Sequence, residues 1–390
     1  RVPGHGSEEM VVAGGLRRLA AVQGRRAMST MTIPGGRSSV SGITATVLGS
    51  TGMLGRYVVN KLGRVGSQVI VPYRGNDDDV RHLRLMGDLG MIVPMRFHAR
   101  DMDSISRCVE RSDVVINCIG KQELTMNFDF YGANVETAHN VARACKEAGV
   151  PRMIHVSALS ADPGASSEWV RRKAEAEQAV LGLYPEATIV RPGVMFGEED
   201  KFLNLIAKWY QIMGVCPLYG ACQNEIRPVY VDDVAEAIRA IVFDPTLDGG
   251  VYDLEGPEGY ALRDIVEWVR VATQREGLAS IRTIAPDMTA FLPEGMEGYS
   301  PHVSGMDISD FFYRMWPQAL PGAPSNLGVR GDANMLFGTE WVASGKNPGF
   351  DAFALKPTSM KSVAPEYLRH YVKGGQFANQ DSHDGSGTLT

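Results

Sequence analysis

The sequence has few cysteines, and none of them stands in a pattern that builds a site. The five are Cys108, Cys118, Cys145, Cys216 and Cys222. They form no C-x-x-C pair and no cluster with histidine. A disulfide framework or a structural zinc site needs such spacing, so neither is expected and no metal is predicted. Scattered thiols favour a reducing compartment.

Long apolar runs and clusters of positive charge are also missing. No run of apolar residues approaches the roughly 18 that a membrane-spanning helix needs, so any membrane association is expected to be peripheral. The net charge is −6 and the basic residues form no long cluster, so nucleic-acid binding has no electrostatic support. An apolar fraction of 44% and a charged fraction of 22% indicate a globular protein with a sizeable core.

Acidic residues are almost missing from the first 37 positions. This stretch holds six arginines and no lysine, and its acids are Glu8 and Glu9 alone. The segment GGLRRLAAVQGRRAMST is rich in arginine and small residues, which is typical of an organelle transit peptide. Residues 1–42 are therefore interpreted as a transit-like, extended N-terminal segment, with a disordered basic tail as the alternative.

From Thr44 onward, short apolar runs alternate with helical patterns as far as Gly277. Runs such as QVIV and VVINCI are almost continuously apolar, as expected for strands buried on both faces of a sheet. Strands that alternate with helices predict a parallel sheet covered by helices on both sides. The expected fold class is α/β, a doubly wound Rossmann sheet over residues 43–277, with a helical stretch around Asp79–Leu89.

Beyond this pattern the sequence is rich in proline, glycine, methionine and aromatics and has little periodicity. Residues 278–373 are therefore predicted to be an irregular C-terminal interaction region, with Trp316 and Trp341 as anchors for a partner. Only VAPEYLRHYVKG in this region has a helical pattern. Residues 374–390 are polar and glycine-rich, which predicts a disordered tail.

The segment VLGSTGMLGRYVV places three glycines, Gly49, Gly52 and Gly55, between a strand and a helix. In this position the glycines allow a tight turn, close approach of a pyrophosphate and close packing of helix on strand. The helix N-terminus attracts the phosphates. The alternative is a packing turn without a ligand. The loop residues expected to line a dinucleotide are Gly49, Ser50, Thr51, Gly52, Met53, Leu54, Gly55 and Arg56.

The end of the second strand predicts the type of dinucleotide. NAD-binding proteins place an acid there for the ribose 2′-OH, whereas an arginine accommodates the 2′-phosphate of NADP. Here the strand QVIVPYR ends at Arg74, and no acid follows until Asp77. Arg56 is expected to add a second positive charge, although both arginines could simply be solvated. NADP(H) is therefore predicted over NAD(H).

Other site residues are predicted from their position at strand ends. Asp101, after the third strand, is expected near the adenine amino group. Cys118-Ile119-Gly120, after the fourth strand, is expected to form the wall beside the ribose. Pro192 and Gly193 of VRPGVMFG are expected beside the nicotinamide, with Pro192 mainly shaping the strand end.

Several motifs together resemble the atypical short-chain dehydrogenases. They are GSTGMLGRYVVNKLGRVGSQVIVPYRG, ARDMDSI, VVINCIG, MIHVSALSAD and VRPGVMFGEEDKFLN. The segments GGRSSVSG, NFDFYGANV and RPVYVDDVA are more similar to one branch of that family, the Rossmann-type NADPH-binding accessory subunits of mitochondrial complex I (NADH:ubiquinone oxidoreductase). The resemblance covers residues 36–275 and is faint near LKPTSMKSVAPEYLRH.

This resemblance implies a tightly held NADPH without demonstrated turnover. It also implies a peripheral place on the matrix side of the mitochondrial inner membrane. The implied partners are other complex I subunits of the matrix arm and the membrane junction, near the quinone region.

One catalytic group of the dehydrogenase pattern is missing. In that mechanism a tyrosine exchanges the proton, a lysine four residues later lowers the tyrosine's pKa and holds the ribose, and a serine orients the substrate. Ser157 and Lys173 are present, but Trp169 stands where the tyrosine is expected. An indole N–H is neither acid nor base near neutral pH, so carbonyl reduction should fall by about 10²–10⁴.

The leading hypothesis is therefore a non-catalytic subunit of complex I that holds NADPH structurally, with Lys173 bound to the ribose and no catalytic residue. The alternative is an active NADPH-dependent organelle reductase or epimerase whose acid has moved elsewhere. A third reading is a free sensor of the NADPH level. His155, inside a strand, is interpreted as a satisfied core histidine.

Overall fold

The computed structural model describes residues 40–122, 128–165, 167–213, 216–219, 223–274, 282–284 and 341–372. The predicted transit-like segment up to residue 39, Trp316 and the predicted tail at 374–390 lie outside the described residues.

The strands of this part of the chain follow the apolar runs closely. In chain order they are β1 (Thr44–Leu48), β2 (Gln68–Tyr73), β3 (Ile92–Arg96), β4 (Val114–Asn117), β5 (Arg152–Val156), β6 (Thr188–Pro192), β7 (Met195–Phe196), β8 (Pro217–Tyr219), β9 (Glu225–Ile226), β10 (Val229–Tyr230), β11 (Val251–Leu254), β12 (Tyr260–Ala261) and β13 (Arg282–Ile284). Most are rich in the β-branched and aromatic residues that suit a pleated surface.

Helices fill the connections between these strands. They are α1 (Met53–Arg64), α2 (Met102–Val109), α3 (Thr137–Ala148), α4 (Glu168–Leu183), α5 (Leu203–Met213), α6 (Val231–Phe243), α7 (Leu262–Ala272) and α8 (Met360–Leu368). A π-helical turn, Tyr131–Glu136, leads into α3. Short 3₁₀ turns lie at Asp77–Val80, Leu83–Met86, Pro245–Leu247, Phe350–Phe353 and Arg369–Tyr371.

Seven strands form one sheet in the order β11-β6-β5-β4-β1-β2-β3, and every neighbouring pair is parallel. The order of β1 to β6 is that of a doubly wound dinucleotide-binding fold, so the predicted fold class is confirmed. The order reverses between β1 and β4. Ligands of such sheets bind at the carboxyl ends of the strands beside this switch point.

Each face of the sheet carries its own apolar core. Alternate residues of a strand point to opposite faces, so Val47 and Leu48 of β1 belong to different clusters. Val47 packs with Val58 of α1 and with residues of α6. Leu48 packs with Val141 of α3 and Val180 of α4. Burial on both faces explains the continuously apolar strands.

The connection from β2 to β3 differs from its prediction. The expected helical stretch around Asp79–Leu89 is instead two short 3₁₀ turns. The second turn lies directly on α1, where a Cβ added to Gly63 would stand 2.4 Å from the carbonyl oxygen of Met86. This close approach and the glycines at 87 and 90 favour short turns over a continuous helix.

Residues 341–372 pack against the Rossmann domain. Trp341 is only 3% exposed, and its backbone N–H donates to the carbonyl of Glu225 in β9 at 3.0 Å. The expectation that Trp341 is an anchor for a partner is therefore wrong, because its ring lies in the protein's own core against Trp169. The predicted helix of this region is confirmed as α8.

Carboxylates of the Rossmann domain accept hydrogen bonds from this C-terminal segment. The Ala343 N–H donates to Glu255 at 2.7 Å and the Thr358 N–H donates to Asp233 at 2.6 Å. The Asn347 side-chain amide donates to Asp253 at 3.1 Å, and the Tyr367 hydroxyl donates to Asp200 at 2.8 Å. Asp200 and Asp253 are buried, and bonds to buried carboxylates stabilise strongly because an unpaired charge is costly there. The segment is therefore an integral part of the fold.

Candidate functional site

The glycine loop between β1 and α1 has the geometry that the motif predicts. Gly49 has a φ of +80°, which glycine adopts without strain. The Gly52 N–H donates to the Gly49 carbonyl at 3.0 Å and closes the turn. A Cβ on Gly55 would stand 2.2 Å from the Gly49 carbonyl oxygen, so only glycine permits this contact of helix and loop. The first turn of α1 holds no acid, so it is open to an anion.

The glycine loop directly touches the loop that follows β4. A Cβ on Gly49 would lie 2.9 Å from the carbonyl carbon of Cys118, and the Cys118 N–H donates to the Leu48 carbonyl at 2.9 Å. Gly120 in turn lies against Lys173, because a Cβ there would be 2.8 Å from the ammonium nitrogen. The structure therefore brings the glycine loop, Cys118-Ile119-Gly120 and Lys173 together along one edge of the sheet.

Lys173 is a buried cation whose ammonium group is only weakly hydrogen-bonded. Its side chain lies in α4, the residue is 5% exposed, and Nζ donates to the Val156 carbonyl at a long 3.4 Å. Burial lowers the pKa of Lys173 to about 8, although Glu177 and Cys118 favour the charged form. A buried ammonium is costly unless its three donors find acceptors. Hydroxyl oxygens of a ligand would supply them.

Ser157, the second retained group, follows the end of β5. Its hydroxyl is buried, and no hydrogen-bond partner for it is found within the described residues. Most buried hydroxyls in folded proteins have a partner. A buried hydroxyl that lacks such a partner is therefore suited to bind a ligand or a water molecule.

His155 is buried in the core as predicted, but it is not fully satisfied, because its Nε2 has no hydrogen-bond partner within the described residues. Its contact with Asn117 fixes its tautomer. Asn117 accepts the Ile119 N–H at 3.1 Å with its oxygen, so its amide nitrogen faces His155 Nδ1 at 3.2 Å. The imidazole is therefore protonated on Nε2. Burial lowers the pKa of His155 to about 3, with Lys173 acting in the same direction. This histidine stays neutral near pH 7 and is no general acid.

Trp169 fills the place where the dehydrogenase pattern has its tyrosine. It is 4% exposed, and its indole N–H donates to the Lys121 carbonyl at 2.9 Å. The ring centroids of Trp169 and Trp341 are 6.1 Å apart, and Lys173 Nζ lies 5.6 Å from the Trp169 ring. The side chain is thus packed between Trp341 and Lys173, and it offers no acid or base.

The residues at the end of β2 were the basis for predicting NADP(H) over NAD(H). Arg74 is exposed, with its guanidinium carbon 5.4 Å from the centre of the Phe128 ring. The first acid after the strand, Asp77, accepts from the Tyr73 hydroxyl and pairs with Arg96 at 3.3 Å. The Tyr73 bond is the largest cause that lowers the pKa of Asp77. Asp77 is thus engaged elsewhere.

Arg56, predicted to add a second positive charge beside the dinucleotide, pairs with an acid, and its contact with the cofactor stays a prediction. Its Nη1 lies 2.8 Å from a carboxylate oxygen of Glu199, and the Arg56 side chain is partly buried whereas Glu199 is exposed. Glu199 comes from the loop after β7, far along the chain, so a local reading of the sequence could not find this pair. The positive charge of Arg56 is largely compensated.

Three further predicted residues lie at the same edge of the sheet with structural contacts of their own. Asp101 caps α2 by accepting the Asp103 N–H at 3.2 Å. The Pro192 carbonyl accepts from the Leu159 N–H at 2.9 Å, and the Gly193 N–H donates to the Leu254 carbonyl at 2.8 Å. Their cofactor contacts stay predictions.

Sequence reasoning missed several residues of this edge. Asn134 is buried beside Gly120 and bonds to the backbone of Lys121. Arg100 lies over the Phe128 ring, at 4.4 Å from its centre. Phe128 lies within NFDFYGANV, which marked the family without revealing these contacts. The only available signal was their position after strands β3 and β4.

Taken together, the residues of the edge fit a dinucleotide. Gly52 is the N-cap of α1, whose first turn carries no acid to repel a pyrophosphate, and Lys173 and Ser157 have donor capacity that the described residues leave unused. Within the described ranges no three metal-ligating side chains come together. In the same ranges no helix is long and apolar enough to cross a membrane.

Comparison with known proteins gives the family. Residues 45–253 match the NAD dependent epimerase/dehydratase family. The fold is similar to a dTDP-glucose 4,6-dehydratase from Streptomyces venezuelae solved with NAD bound, with a TM-score of 0.54 and 20% identity over 62% of this chain and 84% of that one. At this identity the likeness shows the fold alone.

Two curated relatives carry the same name, NADH dehydrogenase (ubiquinone) 1 alpha subcomplex subunit 9, mitochondrial. The one from Arabidopsis thaliana is 40% identical over 87% of this chain and 81% of its own length. The one from Mus musculus is 48% identical over 62% of this chain and 64% of its own length. The chain belongs to the NAD dependent epimerase/dehydratase family and to the family of this mitochondrial complex I accessory subunit, as its motifs predict.

Proposed function

We propose that this protein is a non-catalytic accessory subunit of mitochondrial complex I that holds NADPH as a structural ligand. The observation that carries the proposal is that the site keeps its binding groups while Trp169 occupies the position of the proton-transfer residue. The groups that would bind a dinucleotide are kept, in the glycine loop and at Lys173, while the proton-transfer position holds a packed indole. The names of the relatives support the place in complex I.

Each part of the cleft has a task in binding. The N–H groups at the start of α1 would bind the pyrophosphate, and Lys173 would donate to the nicotinamide ribose. Cys118-Ile119-Gly120 would form the wall beside that ribose, and Ser157 with Pro192 and Gly193 would lie at the nicotinamide. NADPH supplies a hydride donor when it is bound, but Trp169 cannot supply the accompanying proton.

A neighbouring tyrosine does not replace the missing acid. Tyr184, which follows α4, donates its hydroxyl to the Val150 carbonyl at 2.7 Å, at the far end of that helix from Trp169. Its pKa is raised to about 12 by burial, with Cys145 and nearby acids adding to the effect. A tyrosine so placed holds its proton and has no access to the cleft.

The proposed role of NADPH is to stabilise the folded state. A ligand that binds only the folded protein adds about 2.7 kcal/mol at a concentration of 100 Kd. The stabilisation would act on three elements that meet at the ligand, namely the glycine loop, the loop after β4, and helix α4. These elements would present a fixed surface to other subunits of the matrix arm and the membrane junction, on the matrix side of the inner membrane.

NADPH affinity is expected to depend on pH through Lys173. Its pKa in the free protein is lowered to about 8, and contact with ribose oxygens would raise it in the complex. Affinity should therefore be full below pH 7 and fall as the pH rises through 8, until the raised pKa of the complex is reached. Titration calorimetry between pH 6.5 and 9.5 measures this.

Lys173→Met is the matched control for that pH dependence, because methionine fills the space without a proton to lose. Its NADPH affinity should be lower at pH 7 and flat across the range. An unchanged slope in the methionine variant would show that another group titrates.

The proposal is tested by purifying the protein from mitochondrial membranes in mild detergent, sizing the assembly and identifying any released dinucleotide. We expect NADPH in near one-to-one amount within an assembly of respiratory-complex size. A small, free protein that oxidises NADPH with a carbonyl compound would favour the alternative, an active reductase or epimerase. A free protein that binds NADPH without turnover would favour a sensor.

A further inference from the structure

One side of helix α4 carries three buried residues at helical spacing. Trp169, Lys173 and Glu177 follow each other at intervals of four positions, so they lie along one stripe of the helix. None of the three is more than 5% exposed. Lys173, the residue proposed to bind the ribose, stands in the middle of this α4 stripe. The groups that hold the two ends of the stripe therefore influence where the ammonium group lies.

The Trp169 end of the stripe packs against the C-terminal segment. The ring centroids of Trp169 and Trp341 are 6.1 Å apart, and Lys173 Nζ lies 5.6 Å from the centre of the Trp169 ring. Trp341 is itself fixed to the Rossmann domain, because its backbone carbonyl accepts from the Arg227 N–H at 3.2 Å. Trp341 thus holds the Trp169 ring beside the buried ammonium.

A row of alternating charges joins the Glu177 end of the stripe to the same segment. Glu177 accepts two hydrogen bonds from the Arg191 guanidinium, at 2.9 and 2.6 Å. Arg191 Nη1 lies 4.0 Å from Oδ1 of Asp253, and Oδ2 of Asp253 accepts from the Asn347 side-chain amide at 3.1 Å. Asp253 is 3% exposed, and its Oδ1 has no hydrogen-bond partner within the described residues. The bond from Asn347 therefore satisfies part of a buried charge that is otherwise poorly satisfied.

We propose that Trp341 and Asn347 are positioning residues for the dinucleotide, which act on Lys173 through the two ends of the α4 stripe. This inference rests on the proposed NADPH binding and adds a coupling between that site and the C-terminal segment. Both residues belong to the stretch 341–347, so one short piece of chain holds both ends of the stripe. Because binding equilibria are reciprocal, a ligand on Lys173 in turn stabilises the attachment of this stretch.

The titratable groups around Lys173 come from three elements. Burial is the largest effect and lowers the pKa of Lys173 to about 8, whereas Glu177 of α4 and the Cys118 thiol after β4 favour the charged form. His155 of β5 is neutral near pH 7, because burial, with Lys173 adding to the effect, lowers its pKa to about 3. The pKa of Lys173 therefore depends on the access of water and on how far Glu177 is free to balance its charge.

Loss of either contact should raise the pKa of Lys173. Trp341→Leu removes the ring behind the neighbouring indole, so water approaches the ammonium and its pKa moves towards the ordinary value for lysine. Asn347→Ala removes the donor to Asp253, so this carboxylate competes with Glu177 for the arginine between them. Glu177 is then freer to balance Lys173, which favours the charged form.

The test uses the full-length chain after removal of bound nucleotide. NMR of ¹³C-labelled lysine between pH 6.5 and 10.5 gives the pKa of Lys173, whose signal is identified by its absence in Lys173→Met. Titration calorimetry gives the NADPH affinity of the same variants. We expect Trp341→Leu and Asn347→Ala to raise this pKa by about one pH unit. NADPH binding at pH 7 should weaken by about 2- to 10-fold, because the lysine must then be ordered on binding.

Two further variants separate positioning from general loosening. Tyr367→Phe is the matched control, because it removes a bond of the same C-terminal segment to Asp200, which lies outside α4. It should leave the pKa of Lys173 and the NADPH affinity unchanged. Trp341→Phe keeps an aromatic ring behind Trp169 and should retain most of the native pKa and affinity.

Each result has a separate meaning. If Trp341→Leu and Asn347→Ala both keep the native pKa of Lys173, the inference is wrong, while NADPH binding itself stands. An equal rise in Tyr367→Phe would indicate general loosening and would overturn the inference as well. Asn347→Ala decides the matter if the leucine variant does not fold. If the unchanged chain binds neither NADPH nor NADH, the proposed function fails, and the NMR result still decides whether residues 341–347 control Lys173.

Discussion

Gly55→Ala is expected to unfold the start of α1 and to remove dinucleotide binding. The added Cβ would stand 2.2 Å from the Gly49 carbonyl oxygen and 2.8 Å from its carbon. Both are backbone atoms, so the clash is relieved only if the helix moves away from the sheet. Overpacking of this kind typically costs about 1–3 kcal/mol, and displacement of the phosphate-binding N–H groups adds the loss of the ligand. Chemical unfolding and the bound dinucleotide are the measurements.

Gly182→Ala is the matched control for this change. Gly182 lies in α4, and nothing stands within 4 Å of the Cβ that alanine would add. Alanine is the better helix former by about 1 kcal/mol, so this variant should be as stable as the unchanged chain or more so. If Gly55→Ala kept native stability and a full load of dinucleotide, the glycine-loop assignment would be contradicted.

Restoring the missing tyrosine by Trp169→Tyr is expected to destabilise the protein without creating a reductase. The smaller ring loses its packing against Trp341 and the bond to the Lys121 carbonyl, which should lower the free energy of unfolding by about 2–4 kcal/mol. The new hydroxyl would lie in a position that the C-terminal segment covers, since Trp169 and Trp341 are both almost fully buried. Chemical unfolding and NADPH oxidation with a panel of carbonyl compounds measure the two effects.

Trp268→Tyr is the control, because Trp268 lies on α7, is partly buried, and packs against the apolar cluster that contains Trp169 and Trp341. Its effect on stability should be clearly smaller. Turnover of NADPH by the Trp169→Tyr variant would mean that a substrate reaches this position. The alternative of an active reductase or epimerase would then gain support.

The sequence allowed the sheet and the glycine loop to be predicted because their signals are local. Gly49, Gly52 and Gly55 lie within one turn of chain, and their roles follow from the strand before them and the helix after them. The Trp169 substitution was likewise visible from its spacing to Lys173. Short-range patterns of this kind determine an element almost regardless of the rest of the fold.

The missed features join residues that are far apart in the sequence. Trp341 packs on Trp169, Arg56 pairs with Glu199, and Tyr367 donates to Asp200. No periodicity relates such partners, and the irregular composition around Trp341 is typical of both a partner surface and a strap within the fold. Only the tertiary structure separates these readings, since contact between distant segments depends on the whole topology.

The central claim is that the dinucleotide supports the assembly and takes no part in its reaction. Lys173→Met tests it in cells that express this variant in place of the unchanged chain, because the substitution weakens binding while it removes a costly buried charge. The measurement is the amount of assembled complex I and its NADH:ubiquinone turnover per assembled complex. We predict less assembled complex with unchanged turnover per complex. Full assembly, or a fall in turnover per assembled complex, would contradict the account.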